Sequence, residues 1–473
     1  MSHHMEPMSS VDTAWLRMES ESNLMMICGV WVLDRPIDMD RFRAVIEQRL
    51  LRFDRFRQRV VHKDGEEYWE EDPHFYLENH IHRAALPGAA GKEELQDFVS
   101  DLASTPLDFN HPLWQFHLID KYEEGAAMVA RIHHCIADGI ALVRVMLSLA
   151  DEAGDRPRPE YHKEPKRDFL SSLMHPLEQM AERGAHLGHE LVEETLDLVR
   201  HPNHLAELAE KGRHIGEEWL EKGRHIGEEL ARLGLMPRDT RTHLHKPLTG
   251  RKAVAWADPL SLNDVKDTAH LLTGTVNDVL MTAAAGALRR YLMEADRELK
   301  GNIHVAVPFN LRPLDKPIEK LGNEFGLVMV ELPLKQPDPI KRFHEVQANM
   351  RQLKESVQPM VTFGLLSIFG AGPANLEKAA LDFLSEKSSL VMTNVPGPKS
   401  PLTIAGAHIL QPLVWVPQSG SIGVGLSILS YAGTVQFGLI ADQAQIHDPN
   451  RVARYFLESF EELKSAIHGK KTA

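Results

Sequence analysis

Two adjacent histidines close an apolar alternating run in Arg131-Ile132-His133-His134-Cys135-Ile136-Ala137-Asp138-Gly139. Neutral imidazole titrates near pH 6.5 (~6.5), so it accepts a proton close to neutrality. A hydroxyl is a poor nucleophile until a base takes its proton, and one well-placed histidine supplies that step. The residues before the pair, Met128-Val129-Ala130, read as a strand, and Ile140 to Leu149 read as a helix. The histidines therefore stand where a strand ends, a position at which a rigid scaffold holds reactive groups. Neighbours in an extended chain face opposite sides, so one imidazole is expected toward a cleft and the other packed behind it. Asp138, four residues beyond His134, is placed to orient an imidazole or to hold the turn through a buried ion pair. Gly139 permits a tight turn or close packing at the helix start.

The same pair also admits a structural or a metal-binding reading, since the chain holds 26 histidines. As a zinc site it lacks thiolate partners and His-Glu-x-x-His spacing, and no metal is expected. No Gly-x-Ser-x-Gly elbow supplies a serine nucleophile. Cys135 adjoins His134, and in a strand it would point the other way. Neither a phosphate-binding Gly-x-x-x-x-Gly-Lys-Ser/Thr loop nor a dinucleotide fingerprint occurs, and no cofactor is expected. These absences favour direct transfer, in which an acceptor hydroxyl attacks a donor carbonyl without a covalent enzyme intermediate.

The elements that must position this site read as a mixed α/β (α+β) chain in two halves. Residues 6–150 form the first domain. Met26 to Leu33 reads as a strand, and Asp40 to Leu51 as a helix with Asp38 or Asp40 as cap. Phe56 to Val61 and Glu67 to Trp69 flank Asp64-Gly65 as a hairpin. Leu95 to Ala103 is helical, and Leu113 to Leu118 and Ala127 to Ile132 are strands. Residues 151–250 are linker and helix, with Glu210 to Glu218 repeated as Glu221 to Glu229. That period of about eleven keeps Ile215, Trp219, Ile226 and Leu230 on one helical face. Residues 251–473 form the second domain: helices at Asn277 to Leu292, Pro339 to Val357 and Arg451 to Ile467, strands at Ile303 to Val307 and Leu327 to Leu332, and two strands around Tyr431-Ala432-Gly433. A cleft between halves of similar size is the natural place for a site.

With 473 residues, two domains are the default. A formal net charge of −14 builds no basic surface and argues against nucleic-acid binding. Two cysteines, Cys28 and Cys135, suit a reducing compartment, so a cytoplasmic setting is expected. Met1-Ser2-His3-His4-Met5 reads as a tag remnant and is left out of the fold expectations. No apolar stretch is long enough to span a bilayer, which leaves a soluble or peripheral protein.

Further blocks carry a resemblance. His133-His134-x-x-x-Asp138-Gly139 is the HHxxxDG motif of the superfamily that includes chloramphenicol acetyltransferase, peptide-synthetase condensation domains and plant alcohol acyltransferases. Pro106-Leu107-Asp108-Phe109 followed by Pro112-Leu113-Trp114 resembles the PLDxxxPLW block of bacterial wax ester synthase/diacylglycerol acyltransferases. Thr275-Val276-Asn277-Asp278-Val279, Val307 to Arg312, Gly322-Asn323-x-x-Gly326 and Thr393 to Pro398 follow in that family's order. The resemblance implies two chloramphenicol-acetyltransferase-like domains with a channel between them. It implies fatty acyl-CoA as donor and a long-chain alcohol or diacylglycerol as acceptor. His134 would be the base, His133 structural or assisting, and Asp138 a support of the site architecture. Pro112, Leu113 and Trp114 read first as core, with lining of the substrate channel as the role the resemblance offers them. Asn277 and Asp278 divide between capping their helix and supporting the site. The Asn394 to Pro398 block reads first as a turn near the interdomain crossover.

Three further expectations follow. Asp138 pairs with Arg312, whose planar fork suits a fixed carboxylate, with capping of the helix that begins near Ile140 as the alternative. The protein associates peripherally with the inner membrane or lipid droplets, with Trp219 as one anchor. The competing functions are an HHxxxDG enzyme with a smaller alcohol or amine acceptor and a non-catalytic lipid-binding protein.

Overall fold

Near-continuous apolar runs over Met26–Leu33 and Gly125–His133, buried almost throughout, make the centre of a first sheet, and the elements around it follow in chain order. They are β1 (Met5–Pro7), α1 (Ser10–Arg17), β2 (Met26–Leu33), α2 (Met39–Val45), β3 (Gln58–Lys63), β4 (Glu66–Glu71), β5 (Ile81–Ala84), α3 (Lys92–Ala103), β6 (Trp114–Tyr122), β7 (Gly125–His133) and α4 (Gly139–Ser148). The second half supplies β8 (Lys252–Trp256), β9 (Leu260–Ser261), α5 (Leu262–Leu271), α6 (Val276–Asp296), β10 (Ile303–Asn310), β11 (Phe325–Leu332) and α7 (Pro339–Lys354). It continues with β12 (Leu390–Pro396), β13 (Thr403–Ile404), β14 (Ala407–Trp415), β15 (Val424–Tyr431), β16 (Thr434–Asp442) and α8 (Pro449–Lys471). The computed structural model describes residues 5–151, 236, 238–310, 321–323, 325–354, 362, 381–382 and 385–471. The eleven-residue repeat, Trp219 and Arg312 lie outside the described residues.

The first sheet runs β13-β14-β2-β7-β6-β5, and the second runs β11-β10-β12-β15-β16-β8 with β9 beside β16. Two strands of the first sheet therefore come from residues 403–415, which a division at residue 251 places in the second half. β14 pairs antiparallel with β2, Trp415 opposite Cys28 and Leu413 opposite Val30. The exchange is mutual. Helix α3 lies along the free edge of β8, where Val254 N–H donates to Ser100 Oγ at 3.0 Å and Lys252 N–H to Ser104 Oγ at 2.8 Å. An uncovered edge strand invites pairing with other chains, and these hydroxyls occupy it. Lys252 Nζ also donates to Asn23 Oδ1 at 2.6 Å, tying the halves at a buried point.

Several expectations shift in detail. Met5 is no dispensable tag residue: it opens β1, which pairs with β4. The hairpin of β3 and β4 turns at Asp64 and Gly65, both at positive φ (53° and 86°), as a tight two-residue turn demands. Asp38 caps α2, accepting from Arg41 N–H at 2.9 Å. Asn394-Val395-Pro396, read first as a turn, finish β12 instead, parallel to β15, and the turn comes after them. In the second core Ala283, Ala284, Ala285 and Ala287 of α6 are buried. Its Gly286 lies so near α8 that a Cβ would stand 2.8 Å from Ser459 Cβ, so the two helices pack through a small-residue face. Among the described residues no single helix is long and apolar enough to cross a membrane.

Candidate active site

His133 is the last residue of β7, opposite Met26 of β2. The backbone then turns: His134 N–H donates to Met25 O at 2.7 Å and Ile136 N–H to His133 O at 3.1 Å. Asp138 ends the turn as N-cap of α4, its Oδ1 accepting from Ala141 N–H at 2.8 Å. Short strand, tight turn and capped helix leave the two imidazoles little freedom.

Their environments differ. His133 is fully buried, and its Nδ1 accepts from Cys135 N–H at 3.1 Å. The ring proton therefore sits on Nε2, which donates to the Glu19 carboxylate at 2.9 Å. The same oxygen of Glu19 accepts from Met25 N–H at 2.9 Å. Both nitrogens of His133 are thus engaged in holding the loop.

His134 is held differently. Its ring stacks on Trp15 of α1, centroids 4.0 Å apart and planes at 23°, and lies 5.6 Å from Phe325 of β11. It touches both halves of the chain. Its Nδ1 is buried without a hydrogen-bond partner. Burial, reinforced by the neighbouring His133, pushes its pKa down to about 3, so the imidazole is neutral near pH 7. Two more buried polar atoms nearby are unpaired, the indole Nε1 of Trp15 and Oδ1 of Asn323. Asn323 itself is fixed: its Nδ2 donates to His134 O and to Asp12 Oδ1, each at 2.8 Å, and its backbone N–H to the same Asp12 oxygen at 3.1 Å. Desolvation raises the Asp12 carboxyl to about 6 against the lowering effect of these bonds. These buried donors and acceptors are the groups with which a polar substrate group can form hydrogen bonds.

Of the residues singled out from sequence, Asp138 caps α4 and its N–H approaches Gly322 O at 3.3 Å. Gly139 begins that helix. Arg312, its expected ion-pair partner, lies outside the described residues. Asp278 belongs to a capping box with Thr275: each side chain accepts the other's backbone N–H, at 2.8 and 3.2 Å. Asn277 Oδ1 accepts from Asn394 Nδ2 at 2.6 Å, which joins two of the sequence blocks. Of Pro112, Leu113 and Trp114, for which core packing and channel lining were both open, Leu113 and Trp114 belong to the first core, and Pro112 beside them is buried. Trp114 is fully buried, bonds Phe56 O through Nε1 at 2.9 Å and stacks on His80 at 4.4 Å. Leu113 reaches the site only through its carbonyl, which accepts from His133 N–H at 2.9 Å. Sequence reasoning assigned no role to Asp12, Trp15, Glu19 or Asn323. The cap Ser9, three residues before Asp12, marks the start of the helix that carries Asp12 and Trp15, and no local signal says which of its faces meets His134. Among the described residues no group of three or more His, Cys, Asp or Glu side chains gathers as a metal site.

A buried histidine at a strand end, met by residues of both lobes of a mixed α/β fold, defines the chloramphenicol-acetyltransferase-like class of acyltransferases. Residues 8–280 match the model of the wax ester synthase/diacylglycerol acyltransferase catalytic domain, and residues 321–464 match the WS/DGAT C-terminal domain. The chain belongs to the wax ester synthase/diacylglycerol acyltransferase family. A Mycobacterium tuberculosis protein named as a probable diacylglycerol O-acyltransferase is 26% identical over 462 residues, covering 95% of this chain and 94% of that protein. The wax ester synthase/diacylglycerol acyltransferase from Marinobacter aquaeolei VT8 superposes with TM-score 0.67 at 20% identity, over 98% of this chain and 100% of its own. The starter condensation domain of rhizomide synthetase, solved with C8-CoA, shares the fold at TM-score 0.57 and 13% identity, covering 98% of this chain and 95% of that one.

Proposed function

We propose that the protein transfers a long-chain acyl group from fatty acyl-CoA to the hydroxyl of a long-chain alcohol or of diacylglycerol, with His134 as the base. The observation that carries this reading is the state of His134: buried, neutral, with one ring nitrogen unpaired, and in contact with both lobes. The imidazole takes the acceptor's hydroxyl proton as the oxygen attacks the thioester carbonyl carbon. Collapse of the tetrahedral intermediate breaks the C–S bond. Burial makes the imidazolium costly, so its proton passes to the departing CoA thiolate, leaving an ester and free CoA. His133, held by Glu19 and Cys135, positions the loop. The mycobacterial relative's name and the family's own description support an O-acyltransferase with lipid acceptors.

The test is purified protein with radiolabelled palmitoyl-CoA, offered hexadecanol and dioleoylglycerol in parallel, with product identification. Labelled wax ester or triacylglycerol is expected. His134→Ala is expected to lose about 10²–10⁴-fold in rate while keeping its fold, the usual worth of a general base. Activity within about threefold of wild type would remove His134 from the role. Such apolar substrates reside in membranes and droplets, so peripheral contact with a lipid surface belongs to the same reading. Flotation with liposomes tests it, and protein left wholly at the bottom of the gradient would reject it.

A further inference from the structure

The loop between α1 and β2 is short and does much of the holding at the site. Ser20 and Asn23 close it by exchanging backbone bonds, Ser20 N–H to Asn23 O at 3.0 Å and Asn23 N–H to Ser20 O at 3.1 Å. Glu19, just before this turn, accepts from His133 Nε2 and from Met25 N–H, and Met25 O accepts from His134 N–H. Both histidines are therefore fastened to one loop, His133 by its ring and His134 by its backbone.

That loop is gripped in turn by the other half of the chain. Asn23 is buried, and its Nδ2 donates to Gly420 O at 3.0 Å and to Ile422 O at 2.9 Å, both in the connection from β14 to β15. Its Oδ1 accepts from Lys252 Nζ of β8 at 2.6 Å. Carbonyls only accept and an ammonium only donates, so these partners fix which way the amide points. Gly250, at φ +77°, passes so close that a Cβ would stand 2.8 Å from Glu21 O.

Lys252 is the costly member of the group. It is 4% exposed, and burial lowers its pKa to about 8 against the field of Asp442, its neighbour across the β8–β16 pair. The Asp442 carboxylate accepts from the backbone N–H groups of Thr249, Gly250 and Ala444 and from the Thr249 hydroxyl. The ammonium is given an amide oxygen as acceptor and not a carboxylate. If joining the lobes were its whole task, an apolar side chain would serve at lower cost than a buried charge. What the charge adds is a short, directional bond to one atom of the loop that holds the histidines.

We propose that Lys252 is a positioning residue for acyl transfer: acting through Asn23, it sets the loop from which Glu19 holds His133 and Met25 holds His134. The inference rests on the reading of His134 as the base. It makes the alignment of that base depend on a residue of the second sheet.

The test combines variants with pH, using palmitoyl-CoA and hexadecanol. Lys252→Met is expected to keep its circular dichroism and to lose about tenfold in kcat, while KM for palmitoyl-CoA stays within about threefold of wild type. Asn23→Ala is expected to be slower as well, and the double variant no slower than the worse single one, because the lysine acts through the asparagine. Losses that multiply would overturn the proposal. Among the described residues packed around Lys252, Asp442 is the titratable group whose charge acts on it, while α3 and the loop bring the neutral Ser104 and Asn23. Wild type is therefore expected to lose rate as pH rises through about 8, where the ammonium gives up its proton, and Lys252→Met to lack that fall. A tie that served stability alone would lower the unfolding midpoint and leave kcat and its pH profile unchanged, which rejects the positioning role. If Lys252→Met does not fold, Lys252→Gln takes its place, since it keeps a donor without the charge. Failure of the underlying reading looks different: wild type itself would then form no ester. In that case the loop is read by NMR, from the proton on His133 Nε2, recognised by its shift in Glu19→Gln. That signal is expected to move in Lys252→Gln and, in wild type, as pH passes about 8, and a signal fixed under both changes rejects the proposal.

Discussion

One amide nitrogen of Asn323 bridges two residues from the other end of the chain, the Asp12 carboxylate and the His134 carbonyl oxygen, each at 2.8 Å. Asp12 stands in α1, whose Trp15 stacks on the His134 ring. The reactive imidazole is therefore held through its ring from one side and through its own backbone from the other, and both supports meet at Asn323 and Asp12. Asn323→Ala removes both bonds at once. It is expected to lower kcat about tenfold or more, equivalent to about 1.4 kcal/mol at the transition state. Asn323→Asp sets a second carboxylate against Asp12 and is expected to be worse at pH 8 than at pH 5. Steady-state kinetics of both variants at the two pH values check this, and unchanged kcat in Asn323→Ala would separate the amide from the site.

Glu19 serves the neighbouring histidine. Glu19→Ala leaves His133 Nε2–H and Met25 N–H without an acceptor in a buried place, an omission worth about 1–3 kcal/mol of stability. Glu19→Gln keeps an acceptor oxygen and is expected to lose much less. Urea unfolding of the two variants measures the difference. Equal stabilities would show that the bond contributes nothing to holding the loop.

Asp12 and His134 make opposite contributions to the pH dependence of stability. Burial raises Asp12 from 3.8 to about 6, so the folded chain binds the extra proton in that window. Its contribution is present in full below 3.8 and is lost as pH rises through about 6. Burial lowers His134 from 6.5 to about 3, so the unfolded chain binds the extra proton there, and stability rises with pH across that range. The two slopes oppose one another where the windows overlap. Asp12→Asn is expected to steepen the rise in stability between pH 4 and 6, and His134→Ala to flatten or reverse it. Chemical unfolding at a series of pH values reads both, and parallel curves for wild type and variants would refute the assignment.

Much of this site was legible in the chain, and the rest was hidden for identifiable reasons. The strand, the turn and the helix around His133-His134 follow from periodicity, and the Asp64-Gly65 hairpin from turn chemistry. Asp138 as a helix cap is a local feature, and so is the Thr275–Asp278 box. Contacts made across the fold were not legible. Asn323 meets Asp12 over a separation of 311 residues, and nothing near either residue announces the other. Trp114 shows the converse difficulty. An apolar side chain beside a reactive motif suits a substrate channel and a core equally well on sequence, and only packing against His80 and Phe56 decides for the core. The pairing of β14 with β2 was missed for the same reason as the Asn323 contact, since strand partners are chosen by tertiary geometry and not by local pattern.

That pairing bears on how the protein can be divided. Residues 8–280 match the catalytic-domain model, and a fragment with those limits would retain HHxxxDG, Glu19, Asp12 and Trp15. It would lack β14, and β2 would become an outermost strand, presenting unpaired backbone groups along the sequence Met-Ile-Cys-Gly-Val-Trp-Val-Leu. Such a margin is sticky toward any other extended chain, its own copies included. A fragment beginning at residue 251 would in turn bare the rim of β8 that Ser100 and Ser104 now occupy. Each piece is thus the other's solubility factor. Lesions in residues 407–415, though far along the chain from the histidines, are expected to surface as loss of the catalytic half by precipitation and not as a slower enzyme.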